Sequence, residues 1–337
     1  MDTARSPAER LLLTLASLVI VIAGMRAAAP ILVPFLLSLF IAIVCAPAMA
    51  WLRAHRLPTG LALAVVILGV VAFGGLVGLL IGSSVQDFTQ ALPGYQTRLH
   101  DKAVELIGWL QGLGIDVSKA GLLEYLDPGA AMRLVGDMLA GMSGVLTNAF
   151  LILLTVIFIL FEAAGFADKL RAAFADPQTT LPHLEDFTGK IQRYMAIKTW
   201  VSLATGALIA LWLALLGVDY PLLWGMLAFL LNYVPNIGSI LAAVPAVLLA
   251  LIQLGLGPAL AAGAGYLAVN LVMGNLVEPR FLGKGLGLST LVVFLSLVFW
   301  GWVLGPVGMI LSVPLTIAVK IALDSNQQTR GIALLLG

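Results

Sequence analysis

Six neutral polar side chains, Asn232, Asn236, Ser239, Gln253, Asn270 and Asn275, fall in a stretch, 220–277, whose only ionisable groups are Tyr220, Tyr233 and Tyr266. Amides and hydroxyls donate and accept hydrogen bonds without net charge, which suits a hydroxylated neutral ligand. Asn232, Asn236 and Asn275 stand close to Pro or Gly, where interrupted helices leave backbone carbonyls and amides free to coordinate a ligand or ion. The competing role for each amide is repair of a helix end or a contact between helices, worth about 0.6 kcal/mol. Clustering around helix breaks favours binding.

The carboxylate that matters most is Glu278, which directly follows an apolar run and precedes Pro279 and Arg280. A charge at the bilayer centre costs about 2.5–3.5 kcal/mol on insertion scales, so the end of the span is its cheaper position. Two roles stay open: a proton or sodium carrier lining a cavity, or a cap on the following loop, paired with Arg280 or Lys284. Asp219 and Glu162 have weaker claims of the same kind. Arg26, at the end of an apolar run, must snorkel or find a partner. His55, His100 and His183 fall in expected loops. The chain offers no Ser-His-acid set, no metal-ligand cluster and no paired intramembrane carboxylates, so neither an enzyme nor a metal site is expected. The stretch GKGLGLST, 283–290, lacks the order of a phosphate-binding loop, and no cofactor is expected.

Two segments carry one broken pattern: VPNIGSILAAVPAVL at 234–248 and LGPVGMILSVPLTI at 304–317. Pro235, Gly238 and Pro245 in the first match Pro306, Gly308 and Pro314 in the second, with Gly305 just before the second break. Proline removes a backbone donor and clashes with the preceding turn, so neither segment reads as one uninterrupted helix. In a bilayer, freed backbone groups persist only where protein or a water-filled cavity satisfies them. A matched pair of interrupted segments in two halves of a membrane domain points to a transporter's substrate site. Pro235, Gly238, Gly305, Pro306 and Gly308 therefore join the amides as candidate substrate-binding positions.

The elements that must hold these positions follow from composition. The chain is 61% hydrophobic and 10% charged, with a mean hydropathy of +1.06, against about 25% charged residues in a soluble domain. An all-α polytopic membrane protein is expected. Its net charge of +1 and scattered bases argue against nucleic-acid binding. A bilayer core needs roughly 20 apolar residues per helix, and six runs fit: 11–28, 31–52, 59–82, 144–164, 199–217 and 258–277. Two longer runs, 222–254 and 288–323, contain the breaks and read as helical hairpins. The resulting organisation is 1–82 N-terminal spans, 83–143 an extramembrane amphipathic helical segment, 144–164 a fourth span, and 165–198 an amphipathic helix at the cytoplasmic surface. A transport core at 199–323 and a tail at 324–337 complete it. Gly74, Gly78 and Gly82 recur every four residues in the third span and are assigned to helix packing. Trp300 and Trp302 are assigned to packing or to an interfacial belt.

Basic loop residues give an orientation. Arg5, Arg10, Arg53, Arg56, Lys169, Arg171, Lys190, Arg193 and Lys198 share one side if the N-terminus is cytoplasmic. Continuing the count, the first hairpin opens outward and the second inward, with Arg280, Lys320 and the C-terminus inside. Span plus hairpin, followed by the same unit inverted, is the pattern of an inverted-topology repeat.

The run of Ile191, Tyr194, Ile197, Lys198, Ser202, Thr205 and Gly206, then NYVPNIGSILAAVPAVLLAL from Asn232, then the stretch from Asn270 to Ile317, resembles the autoinducer-2 exporter family of bacterial transporters. The resemblance is dense from Ile191 to Ala322. It implies a bacterial inner-membrane homo-oligomer with cytoplasmic ends that exports autoinducer-2, a small neutral signalling molecule, or, in some members, exchanges sodium or lithium for protons. A passive channel or scaffold is the alternative from another class.

Overall fold

The computed structural model describes residues 7–112, 148–173, 177–235, 237–282, 288–324 and 329–337; Asn236 and most of the expected 83–143 segment lie outside them. Among the described residues all regular structure is helical. In chain order the helices are α1 (Pro7–Ala27), α2 (Ala29–Ala54), α3 (Thr59–Gly112), α4 (Ala149–Ala173), α5 (Pro177–Leu216), α6 (Pro221–Leu231), α7 (Gly238–Leu254) and α8 (Leu256–Asn270). A π-helical stretch, Leu271–Val277, joins α8 to α9 (Glu278–Leu282), followed by α10 (Thr290–Ile310), α11 (Ser312–Asp324) and α12 (Arg330–Leu335). Five helical stretches are long and apolar enough to cross a membrane: Ala29–Ala54, Thr59–Phe88, Ile191–Leu216, Leu256–Phe281 and Thr290–Ile310. Shorter apolar helices, Pro221–Leu231 and Gly238–Leu254 among them, accompany these. The protein is an all-α polytopic membrane protein.

Two expected boundaries are not breaks in the backbone. Helix α3 continues past Gly82 to Gly112, and α5 runs from Pro177 through Lys198 into its membrane span. Neither junction carries the Gly–Pro punctuation needed to stop a helix, and Pro93 is tolerated inside α3. Two of the three α3 glycines assigned to packing, Gly74 and Gly82, have no close neighbour among the described residues. A Cβ on Gly74 or Gly82 would meet no atom within 4 Å, because that stretch of the helix faces outward.

Both broken segments fold as hairpins. Gly217, with φ +75°, ends α5; its N–H bonds the Ala214 carbonyl (3.1 Å) and Val218 N–H reaches Leu213 (3.0 Å), a left-handed helix cap. The chain then turns at Asp219 into α6, whose 11 residues extend about 16 Å, short of the roughly 30 Å core. The turn after α6 brings Gly238 so close to the first arm that a Cβ there would lie 1.8 Å from the Leu231 carbonyl oxygen. At the second break the kink is Gly305, at φ +70° and ψ −155°, a conformation essentially reserved for glycine. There a Cβ on Gly308 would lie 2.0 Å from the Trp300 carbonyl oxygen and 2.7 Å from the Leu304 Cβ. In both hairpins the glycine after the proline lets the returning chain touch the incoming arm.

The hairpins open at opposite ends of the bundle. The first opens at the Asp219 end, where Gln253 Oε1, at the close of α7, accepts the Asp219 backbone N–H at 3.1 Å. Its tip reaches the other end of the α5 span, where Tyr233 Oη donates to Thr199 Oγ1 at 2.8 Å. The second hairpin opens at that same Thr199 end, with Leu288, Val293, Ile317 and Ile321 in one cluster with Ile191, Tyr194 and Met195. Its tip points back, with Trp300, Val303 and Leu304 packed on Met25, Ala29, Leu32 and Val33 at the α1–α2 junction. Inside this hairpin Trp300 Nε1 donates to Thr316 Oγ1 at 3.0 Å, which ties the two arms.

Candidate functional site

One face of α5 carries a polar ladder: Lys198, Thr199, Ser202 and Thr205. The spacing of i, i+1, i+4 and i+7 keeps these groups on one side of a 3.6-residue helix. Each rung engages a different neighbour. Lys198 Nζ lies 2.9 Å from both Glu278 oxygens, and the two side chains are 7% and 16% exposed. Thr199 accepts from Tyr233, while the fully buried Ser202 accepts from Asn232 Nδ2 at 2.9 Å. Tyr233 also meets Phe40 of α2 edge to face, with ring centroids 5.5 Å apart. Close approach of α5 to α6 makes this contact feasible, because Gly206 and Gly225 each pack against the other's backbone oxygen.

Above the ladder lies a small cavity between α5, the first hairpin and α8. Thr205, Asn232, Ser239, Tyr266 and Asn270 supply its polar lining, with apolar walls from residues such as Ile209 and Ala242. It has room for about one water. No charged side chain lines it. Its hydrogen-bonding capacity is largely uncommitted. Thr205 donates to the carbonyl four residues back (2.8 Å), as does Thr199 (2.8 Å). Among the described residues, Ser239 and Asn270 make no side-chain hydrogen bond and the buried Tyr266 hydroxyl has no partner. A buried donor left unpaired costs about 1–3 kcal/mol.

The site thus gathers three expected residues, Asn232, Ser239 and Asn270, and adds Thr205 and Tyr266. Pro235 is half-buried in the hairpin turn and Gly238 is buried behind it, shaping the tip rather than lining the cavity. Asn275 sits exposed on the π-helical stretch. Gly305, Pro306 and Gly308 form the tip of the second hairpin, packed toward α1 and α2, and do not reach the cavity.

Glu278 pairs with Lys198, eighty residues earlier in sequence, rather than with Arg280; the other expected partner, Lys284, lies outside the described residues. The π-helical stretch lies directly between Asn270 at the cavity and Glu278 at the ion pair; such wide turns often mark functional sites. At the opposite end, Asp219 is gripped by Tyr95 Oη (3.1 Å), by Gln253 Nε2 and, through its carbonyl, by Trp224 Nε1 (3.0 Å). Burial first, then the hydrogen bond and charge of Asp219, push the Tyr95 phenol above its ordinary range. Arg26 finds its partner in Trp302, with the guanidinium carbon 4.6 Å from the ring centroid. A larger groove beside this pair, lined by Val19, Ile22, Ala23 and Ala27, is open and apolar.

Two broken hairpins that open at opposite ends of a bundle of apolar helices, the first of them beside an uncharged polar cavity, define the class as a membrane transporter of the inverted-hairpin kind. The family model for AI-2E family transporters matches residues 15–327, and the chain belongs to that family. The AI-2 transport protein TqsA of Escherichia coli strain K12 is 44% identical over 327 residues, covering 97% of this chain and 95% of the relative. A putative transport protein of Haemophilus influenzae is also 44% identical, over 98% of this chain and 96% of its own length. The putative transport protein YhhT of Escherichia coli strain K12 is 41% identical over 97% of this chain and 94% of its own.

Proposed function

We propose that this transporter exports a small neutral polar molecule, with autoinducer-2 the foremost candidate, across a bacterial inner membrane by alternating access. The observation that carries the reading is the cavity at the first hairpin tip, lined by Asn232, Ser239, Asn270, Thr205 and Tyr266 without a charged group. Such a lining favours an uncharged ligand over a sodium ion, because no carboxylate among the described lining residues compensates the ion's charge. The similarity to a relative named as an AI-2 transport protein supports the same choice. Both termini are assigned to the cytoplasm, in keeping with the basic residues at that end.

The hairpin tip closes the cavity toward the Thr199 end through Asn232–Ser202 and Tyr233–Thr199. The Lys198–Glu278 pair clamps α9 to α5 at that end. Glu278 is the proposed ion-linked residue: neutralising its carboxylate would release Lys198, so a driving ion and the closure of this end share one group. Sodium–proton exchange as the primary activity has less support, because both Glu278 oxygens already face Lys198. A homo-oligomer is proposed as the working state.

Reconstituted protein tests the reading. In proteoliposomes, saturable flux of labelled autoinducer-2 is expected, with the flux through Asn232→Ala reduced at least tenfold while its membrane abundance is unchanged. Undiminished flux through that variant would remove the cavity from the pathway. Sodium–proton exchange without autoinducer-2 flux would replace the substrate assignment.

A further inference from the structure

Serine and threonine hydroxyls on membrane-embedded helices ordinarily donate to a backbone carbonyl one turn back, which leaves no donor unpaired. Thr155, Thr199 and Thr205 do so here, and Ser296 and Ser312 reach three residues back. Around the cavity Thr205 keeps to this pattern, but three other polar groups lack a partner among the described residues. The Tyr266 ring is packed in the main core cluster and only 5% exposed, yet its hydroxyl meets no acceptor among the described residues. Across the same cavity Ser239 and Asn270 have polar capacity that no described neighbour takes up. Buried unpaired donors are rare in folded proteins and ask for an explanation. A phenylalanine would fill the same volume without the cost.

We propose that Tyr266 is the selectivity-determining residue of the transport site, donating its phenolic hydrogen to an oxygen of an uncharged, compact, multiply hydroxylated or carbonyl-bearing solute. Ser239 and the Asn270 amide hold further oxygens of the same molecule, and Asn232 engages it from the hairpin tip. The inference rests on the transport reading above and deepens it. The cavity holds about one water in this conformation, so admitting such a solute requires the hairpin tip to draw away from α5 and α8. On closure the solute satisfies donors that the empty protein leaves unpaired. A site built to hydrogen-bond a hydroxyl rejects analogues that lack it, because its own polar groups are then stranded.

The test is Tyr266→Phe, read in two ways on purified full-length protein. A residue that merely packs, or whose hydroxyl is satisfied internally, would lose stability or stay neutral on this change. The unpaired hydroxyl predicts the opposite: the melting temperature of the ligand-free variant rises by about 2 °C. In proteoliposomes, autoinducer-2 flux at sub-saturating concentration falls about tenfold, the size of one lost hydrogen bond. Ser239→Ala is expected to shift flux in the same direction with little change in stability. A lower or unchanged melting temperature for Tyr266→Phe overturns the inference, and so does wild-type flux through a stabilised variant. If the wild-type protein carries no autoinducer-2, the substrate assignment fails separately, and the melting temperature still decides whether Tyr266 holds an unpaired donor.

Discussion

The ion pair between Lys198 and Glu278 gives the sharpest quantitative expectation. With Nζ at 2.9 Å from both carboxylate oxygens, the gross Coulomb attraction at an effective dielectric near 20 is on the order of 6 kcal/mol. Desolvation of two buried charges offsets most of it. The asymmetry lies in breaking the pair: changing either partner alone strands a charge that is at most 16% exposed, at a cost of about 3–5 kcal/mol. Glu278→Gln and Lys198→Met should each lower the unfolding free energy of the detergent-purified protein by about 3 kcal/mol in a denaturant titration. The double variant removes both charges and should return to within about 1 kcal/mol of wild type. Added salt should leave the single-variant losses nearly unchanged, since buried pairs are weakly screened. Single variants within about 0.5 kcal/mol of wild type, the range of ordinary surface changes, would show that the two side chains are not paired and would remove the clamp from the mechanism.

Two further outcomes follow from the hairpins and from the opposite end. Gly238→Ala and Gly308→Ala would each place a Cβ about 2 Å from a backbone oxygen (1.8 and 2.0 Å), so both should fail to accumulate as folded protein, whereas Gly74→Ala, with open space around it, should be stabilised by about 0.5–1 kcal/mol; equal yields for all three in fluorescence-detected size exclusion would refute the tight turns. The Tyr95 phenol is held above its ordinary value of 10.0 by burial and by Asp219, so the folded state favours the protonated form. That contribution is complete below pH 10 and is lost as pH rises through the higher folded-state value; Tyr95→Phe should abolish this alkaline loss in a melting-temperature profile, and an unchanged profile would show that Tyr95 does not carry it.

Much of this arrangement was legible in the sequence because proline and glycine act locally. Pro235, Gly238, Pro306 and Gly308 mark both hairpins without reference to any other part of the chain. Their opposed openings followed from counting spans. Asn232, Ser239 and Asn270 were legible as a group because they are neutral polar residues clustered around a helix break in a charge-free apolar stretch. What stayed hidden depends on distance in the chain or on backbone detail. Lys198 and Glu278 meet because α5 packs directly against α8 and α9, and Arg280 was the nearer partner in sequence. Tyr266 looked like an ordinary aromatic, since the lack of an acceptor is a property of its neighbours. The kink belongs to Gly305, whose left-handed φ is invisible beside the more conspicuous Pro306. Nothing in LVMGNLV distinguishes a π-helical turn from an α-helical one.

The two closures on the α5 ladder differ enough in energy to suggest an order of events. The hairpin tip is held there by two neutral hydrogen bonds, Asn232–Ser202 and Tyr233–Thr199, each worth about 0.6 kcal/mol between membrane helices. Their sum is about twice thermal energy, so the tip can part from α5 without assistance. Parting Lys198 from Glu278 without compensation would strand two charges that are at most 16% exposed, each at a cost of about 3–5 kcal/mol while it stays buried, so release of α9 is the rarer event. On the proposed function, substrate would reach Ser239 and Asn270 by hairpin motion alone, while movement of α9 would wait until the Glu278 charge is compensated. A gradient acting on Glu278 would then supply the larger step and leave binding untouched. The paired variant Lys198→Met/Glu278→Gln separates the two: it should keep wild-type autoinducer-2 binding and carry downhill flux, but lose any acceleration by an imposed proton or sodium gradient. Gradient-driven flux that survives in this variant would place the coupling elsewhere.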